Sequence, residues 1–316
     1  GDFNGDGNLD VIAGNDYSDA TLLRGSGDGN FREYTRYQAG GMYLTPINLN
    51  TDGYMDLVSG GRLFATTVAA THGVAVGLDA PEVYPAKGFG LLVATGDINN
   101  DGYLDIVMGH KLTGDLLSIF LGRAQGGFDT AFTVPVTREA LALALGDLNG
   151  DGFDDLVVGS LPGQNGHLEV LLGSASGQLT HLSDMFNGSA TVIWGRGLAL
   201  ADMNGDGTLD IISPTPTTLS VLPNNGDATF GTPLQSGWGM GTTSNILIDD
   251  YDGDNILDAV AVQDFNLNPD DVLSTIYLNL GHGNGTFNMV QQLSIDAGFP
   301  NAGQGFVDGD TLPDVL

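Results

Sequence analysis

Short apolar runs recur along the chain, each bounded by polar, glycine-rich stretches, and no window repeats its apolar residues at helical spacing. The pattern predicts strands. One set, Leu91-Leu92-Val93-Ala94, Leu141-Ala142-Leu143-Ala144-Leu145, Leu198-Ala199-Leu200 and Ile246-Leu247-Ile248, is small and apolar on both faces, as strands packed near a crowded axis would be. A second set follows each of these: Leu57-Val58, Ile106-Val107-Met108, Leu156-Val157-Val158 and Ala259-Val260-Ala261-Val262. A third reads Leu117-Ser118-Ile119-Phe120-Leu121, Leu168-Glu169-Val170-Leu171-Leu172 and Thr275-Ile276-Tyr277-Leu278. A glycine-rich turn then ends on a large apolar residue, as in Gly126-Gly127-Phe128 and Gly283-Asn284-Gly285-Thr286-Phe287. With a fourth strand closing each unit, the chain reads as all-β, in antiparallel units of strands A to D.

Between strands A and B lies a nine-residue polar loop, typified by Asp202-Met203-Asn204-Gly205-Asp206-Gly207-Thr208-Leu209-Asp210. Acidic or amide side chains at positions 1, 3, 5 and 9, with the carbonyl of position 7, form an all-oxygen set suited to Ca²⁺. Glycine at position 6 permits the sharp turn, because it adopts positive φ without a Cβ clash. In loop 5 these ligands are Asp202, Asn204, Asp206, Thr208 and Asp210, and in loop 1 they are Asp2, Asn4, Asp6, Asn8 and Asp10. Loop 2 offers Asn48, Asn50, Asp52, Tyr54 and Asp56; with only two carboxylates it is expected to bind most weakly. Loop 3 offers Asp97, Asn99, Asp101, Tyr103 and Asp105, and loop 4 offers Asp147, Asn149, Asp151, Phe153 and Asp155. Loop 6, with Asp250, Asp252, Asp254, Ile256 and Asp258, carries four carboxylates but has Asn255 at position 6. Asn is the next most tolerant residue at positive φ, so the turn is expected to survive. A seventh copy, containing Asp308, Asp310 and Asp314, lacks both the first ligand and the position-6 glycine, and is expected to hold no metal.

The loops begin at residues 2, 48, 97, 147, 202, 250 and 306. A period of roughly fifty residues points to β-propeller blades rather than a short-period solenoid. Seven loops suggest seven blades, while only six full C–D hairpins are visible, so closure as six blades with an extra terminal pair stays open. One propeller domain spanning residues 1–316 is the expectation.

These loops and the Gly-Asn-Gly-Thr-Phe-like turns resemble the FG-GAP/VCBS repeat family, the calcium-loop β-propellers that include the integrin α-subunit head and many secreted bacterial proteins. The resemblance covers nearly the whole chain and assigns the loop residues above to the family's calcium-ligand positions. EF-hands and dockerins fit less well. An EF-hand requires a bidentate Glu at position 12 and flanking helices, whereas position 12 after Asp202 is Ser213 within a strand-like run.

Charge sharpens the picture. Thirty-nine acidic residues against nine basic ones give a net charge of −30, which argues against nucleic acid or an anionic membrane as partner. Six divalent ions would offset much of the local repulsion. With no cysteine in the chain, disulfides and thiolate metal sites are ruled out. Extracellular calcium modules work at roughly 10⁻⁴–10⁻³ M, so an extracellular or cell-surface location in a bacterium is expected. The chain opens inside a loop at Gly1-Asp2, as a segment of a longer protein would.

Antiparallel connectivity places A–B and C–D turns at one end of each blade and B–C and D–A connections at the other. The second end carries Tyr43, Phe89, Arg138, Trp194, Arg196 and Trp238 on D–A connections, and Arg62, His110 and Lys111 on B–C connections. Aromatic rings beside cations suit a neutral or acidic glycan; the plainer alternative is that these residues cap blade packing. Motifs for zinc hydrolysis, serine hydrolysis and phosphate binding are all missing, and His110-Lys111 is the one local pair to nominate for a lyase-like base. The expected function is a calcium-stabilised binding or adhesion module for a glycan or protein. The alternatives are a polysaccharide-active enzyme or its accessory domain, and a self-assembling extracellular structural protein.

Overall fold

The computed structural model describes residues 1–14, 19–38, 43–50, 52–60, 67–75, 77–88, 90–110, 115–160, 167–186, 197–215, 218–237, 242–264, 273–296, 304–305 and 312–315. All regular elements among them are strands. Two compact units are present.

The first unit comprises residues 1–140, 173–179 and 305–310. Its first sheet has three strands, β1 (Val11–Gly14), β2 (Asp19–Gly25) and β3 (Phe31–Gln38). The second is built from β4 (Tyr43–Ile47), β5 (Asp56–Gly60) and β6 (Thr67–Thr71). A short ribbon of β7 (Gly73–Val74) and β8 (Gly77–Leu78) follows, and β9 (Glu82–Pro85) completes that sheet. The third contains β10 (Gly90–Gly96), β11 (Asp105–His110), β12 (Leu116–Phe120) and β13 (Phe132–Pro135). Phe3, Ala20, Leu22, Leu57 and Leu78 fill the layer between the first two sheets. Val58, Val68, Ile106, Met108, Phe120 and Phe128 fill that between the second and third.

The second unit comprises residues 141–172, 180–304 and 311–316. Its sheets are β14 (Ala140–Gly146) with β15 (Asp155–Ser160), β16 (His167–Leu172) and β17 (Thr180–Phe186); β18 (Ala199–Ala201) with β19 (Asp210–Pro214), β20 (Thr218–Leu222) and β21 (Leu234–Gly237); and β22 (Thr242–Asp249) with β23 (Asp258–Asp264), β24 (Leu273–Gly281) and β25 (Phe287–Asp296). Val157, Leu168, Val170, Ile211 and Leu222 pack between the first two of these sheets, and Ile212, Leu219, Val221, Ile246 and Ala261 between the last two.

The fold is all-β, a six-bladed β-propeller of mostly four-stranded antiparallel sheets. Six blades form, not the seven that the number of loops suggests; six is the alternative that the count of C–D hairpins left open. Among the described residues, the seventh loop copy is bracketed by a two-stranded sheet of β26 (Gln304–Gly305) and β27 (Asp314–Val315). The B strands β11, β15 and β19 are buried at every position. That is why they read as unbroken apolar runs rather than as alternating ones.

Candidate metal centres

Each A–B loop is folded by its own side chains. In loops 1, 4, 5 and 6 one oxygen of the position-1 carboxylate accepts the backbone N–H of positions 4 and 5, while the other accepts that of position 6. The position-3 side-chain oxygen accepts from the N–H of position 5 in all six loops, as in Asp206 N to Asn204 Oδ1 at 2.9 Å. Position 5 in turn accepts from position 7. These are Asx-type turns, in which a short polar side chain satisfies nearby backbone donors. Position 6 takes positive φ throughout, from +85° at Gly102 to +90° at Gly53, and Asn255 adopts +64° in loop 6. The turn therefore survives the Asn.

Position 9 differs from the others. Asp10, Asp56, Asp105, Asp155, Asp210 and Asp258 are all buried. One oxygen of each accepts the N–H of position 2, as in Ile98 N to Asp105 Oδ2 at 3.0 Å. In loops 1, 2, 3, 5 and 6 the other oxygen accepts an N–H at or just past the end of strand C: Gly25, Gly73, Gly122, Asn224 or Gly281. Burial pushes the Asp105 carboxyl up to about 7, against the pull of those two donors, and the neighbouring Asp101 and Asp97 charges push the same way. Burial likewise raises Asp10, Asp210 and Asp258. Asp6 lies below the usual carboxylate range because the Asn8 N–H bonds it, and Asp206 because the Thr208 hydroxyl and N–H do. A cation in these loops would favour the charged form of every carboxylate around it.

Loop 6 brings three acids together. The ligand atoms of Asp250, Asp252 and Asp254 lie within 4.8 Å of one another, so this triad can bind a metal ion. In loops 1 to 5 an Asn occupies position 3, and in loops 1, 3 and 4 its amide donates to the position-5 carboxylate, at 2.9 to 3.1 Å.

The residues nominated for a ligand face are placed unevenly. Tyr43 opens β4 opposite Gly60, and His110 closes β11 opposite Gly90, which puts both at the sheet end away from the loops. Arg138 is exposed just before β14. His110 is buried, with Nε2 2.8 Å from Ser118 Oγ, and so is not a surface contact. Arg62, Phe89, Lys111, Trp194, Arg196 and Trp238 lie outside the described residues, as do Asp308 and Asp310 of the seventh loop.

The family described as FG-GAP-like repeat matches residues 2–62, 97–158, 147–213 and 202–261, each span containing at least one of these loops. The chain belongs to that family. Comparison of this FG-GAP-like repeat protein with curated proteins gives no significant match. Among solved structures it resembles an Agrocybe aegerita lectin described as specifically recognising non-reducing terminal N-acetylglucosamine. That match has a TM-score of 0.64 and 18% identity, over 100% of this chain and 83% of the lectin. A Lactobacillus plantarum protein matches with a TM-score of 0.52 and 13% identity, over 92% and 84% of the two chains. The V. cholerae biofilm matrix protein Bap1 matches with a TM-score of 0.49 and 12% identity, over 100% and 82%. At the identities of the first two the likeness is one of fold.

Two supports of the FG-GAP-like loops escape a search for ligands. The first is position 2, whose apolar side chain is buried at Phe3, Leu49, Ile98, Leu148 and Met203 and whose carbonyl, in loops 4 and 5, takes a bond from the next blade's C–D turn. Examples are Ala228 N to Leu148 O at 3.2 Å and Gly285 N to Met203 O at 3.0 Å. The second is the glycine at the end of strand C. A Cβ there would stand 2.0 to 2.4 Å from the position-8 carbonyl at Gly25, Gly73, Gly122 and Gly281, closer than atoms can pack. Where Asn224 replaces this glycine, its side-chain amide donates to that carbonyl, Leu209 O, at 3.1 Å. Its distance from the loop varies with the length of strands B and C, so no fixed spacing reveals it.

Proposed function

We propose that this protein is a secreted or cell-surface β-propeller, stabilised by calcium in its A–B loops, that binds a glycan through the opposite end of its blades. The observation that carries the proposal is the inward use of the loops. Their side-chain oxygens bond their own backbone, and in loop 6 the ligand atoms of Asp250, Asp252 and Asp254 lie within 4.8 Å of one another. Such loops serve stability, which leaves recognition to the B–C and D–A connections. An all-oxygen donor set favours Ca²⁺ over softer ions, and millimolar calcium is an extracellular condition. Among the described residues no helix is long and apolar enough to cross a membrane. The whole-length likeness to a lectin that recognises N-acetylglucosamine supports a glycan as the ligand class. Burial of His110 against Ser118 takes the nominated imidazole out of reach of a polysaccharide, which weighs against the lyase-like alternative.

Retention on immobilised glycans tests this directly, with chains ending in N-acetylglucosamine first, then acidic polysaccharides and matrix proteins. Retention in millimolar calcium that is lost with chelator, and lost again in Trp194→Ala or Trp238→Ala, is the expected result. No retention on any surface would remove the binding reading.

Self-association is a second reading, favoured by β25. This ten-residue strand is the edge of its sheet, residues 288–294 are all exposed, and they include Met289, Val290 and Leu293 with no charge among them. Uncharged, apolar edge strands invite pairing with another chain. Light scattering over a concentration series separates the two readings: a constant monomer mass excludes assembly.

A further inference from the structure

The outer hairpin of the fourth sheet, β16 and β17, gathers four metal-type donors on one face. His167 and Glu169 alternate along β16, and Glu169 pairs directly with Asp184 on β17. The register slips between Val170 and Leu171, so that Ser183 faces Val170 while His181 faces Leu171. Residues three apart on a regular strand point to opposite faces; this bulge turns His181 onto the face of Asp184. Bulges recur where a side chain must be re-aimed for function. His167 Nε2 lies 3.0 Å from Asp184 Oδ1, and His181 Nε2 lies 3.4 Å from Asp184 Oδ2 and 3.9 Å from Glu169 Oε1.

We propose that His167, Glu169, His181 and Asp184 form a binding site for a divalent transition-metal ion, separate from the oxygen-only loops. Two imidazoles with two carboxylates are a donor set for Zn²⁺ and its neighbours rather than for calcium. Donors about 2.0–2.2 Å from a tetrahedral zinc stand roughly 3.4 Å from one another, and the three contacts bracket that separation. Glu169 and Asp184 are carboxylates directly opposite on adjacent strands, a pairing that is repulsive unless a positive charge joins it. One half of the site is fixed and the other adjustable. His167 and Glu169 side chains are buried, at 6% and 1% exposure, whereas His181 and Asp184 are each 43% exposed on the edge strand. Among the described residues three carboxylate or imidazole ligand atoms already fall within 4.8 Å of one another only at Asp250, Asp252 and Asp254, so capture requires His181 and Asp184 to turn inward.

Titration with Co²⁺ in millimolar Ca²⁺, followed by visible absorption, reads the site without interference from the loops, and Zn²⁺ calorimetry supplies the stoichiometry. One equivalent per chain with tetrahedral cobalt bands is expected. Affinity falls in His181→Ala and in Asp184→Ala by more than the roughly 10–100-fold that loss of an outer partner costs. Both substitutions are on an exposed edge, and an unchanged melting temperature in calcium verifies the fold. Absence of stoichiometric Co²⁺ or Zn²⁺ binding would overturn the proposal, as would undiminished binding in the folded His181→Ala/Asp184→Ala double variant.

Discussion

The buried aspartate at loop position 9 ties three pieces of chain together through one carboxylate. Asp105 holds the N–H of Ile98 at 3.0 Å and that of Gly122 at 2.7 Å, fixing the loop, the start of strand B and the end of strand C at one point. Replacing it by Ala strands two buried donors, and each unsatisfied group costs about 1–3 kcal/mol. Asp105→Ala is therefore expected to lower unfolding free energy by roughly 2–4 kcal/mol, read from the urea midpoint, with Asp105→Asn milder because it keeps one acceptor oxygen. Regular spacing marked this residue as a candidate calcium ligand. Its burial and its hold on strand C were not legible, because Gly122 is distant in sequence and is brought near only by the B–C hairpin.

Blade closure is decided by the C–D turn. Gly122 presents its Cα to Leu104, and an added Cβ would meet that carbonyl oxygen at 2.4 Å. The obstacle is backbone that cannot rotate away, so Gly122→Ala is expected to destabilise by at least the ~1–3 kcal/mol typical of overpacking. A few residues on, Phe128 is fully buried and meets Tyr84 and Phe120 edge-on at centroid distances of 5.4 and 6.5 Å. Phe128→Ala should cost about 3–5 kcal/mol by leaving a cavity. Thermal or urea melts of the two variants in calcium check both figures. The aromatic at the end of this turn was visible in the sequence as a recurring apolar plug. What it plugs was not, since Tyr84 belongs to the preceding sheet.

For the whole molecule the dominant quantity is its charge of −30, concentrated where the loops cluster carboxylates. Without cations these repel, and salt screens them as the Debye length falls from about 30 Å at 0.01 M to about 8 Å at 0.15 M. Chelation is expected to lower the melting temperature, and added salt to restore part of it. A single site occupied at a hundred times its dissociation constant contributes about 2.7 kcal/mol, so several loops together give a large calcium-dependent shift in a thermal scan. An unchanged melting temperature with chelator would refute the calcium assignment. The sequence by itself determined the all-β class, the oxygen-rich loops and the periodic blade, because apolar runs, turn chemistry and loop spacing are local properties repeated many times. Blade number, the anchoring roles of position 2 and of the strand-C glycine, and the meeting of His167, Glu169, His181 and Asp184 were decided by tertiary structure. Each depends on strand pairing, on one register slip or on a neighbouring blade, and such contacts leave no fixed spacing in the chain.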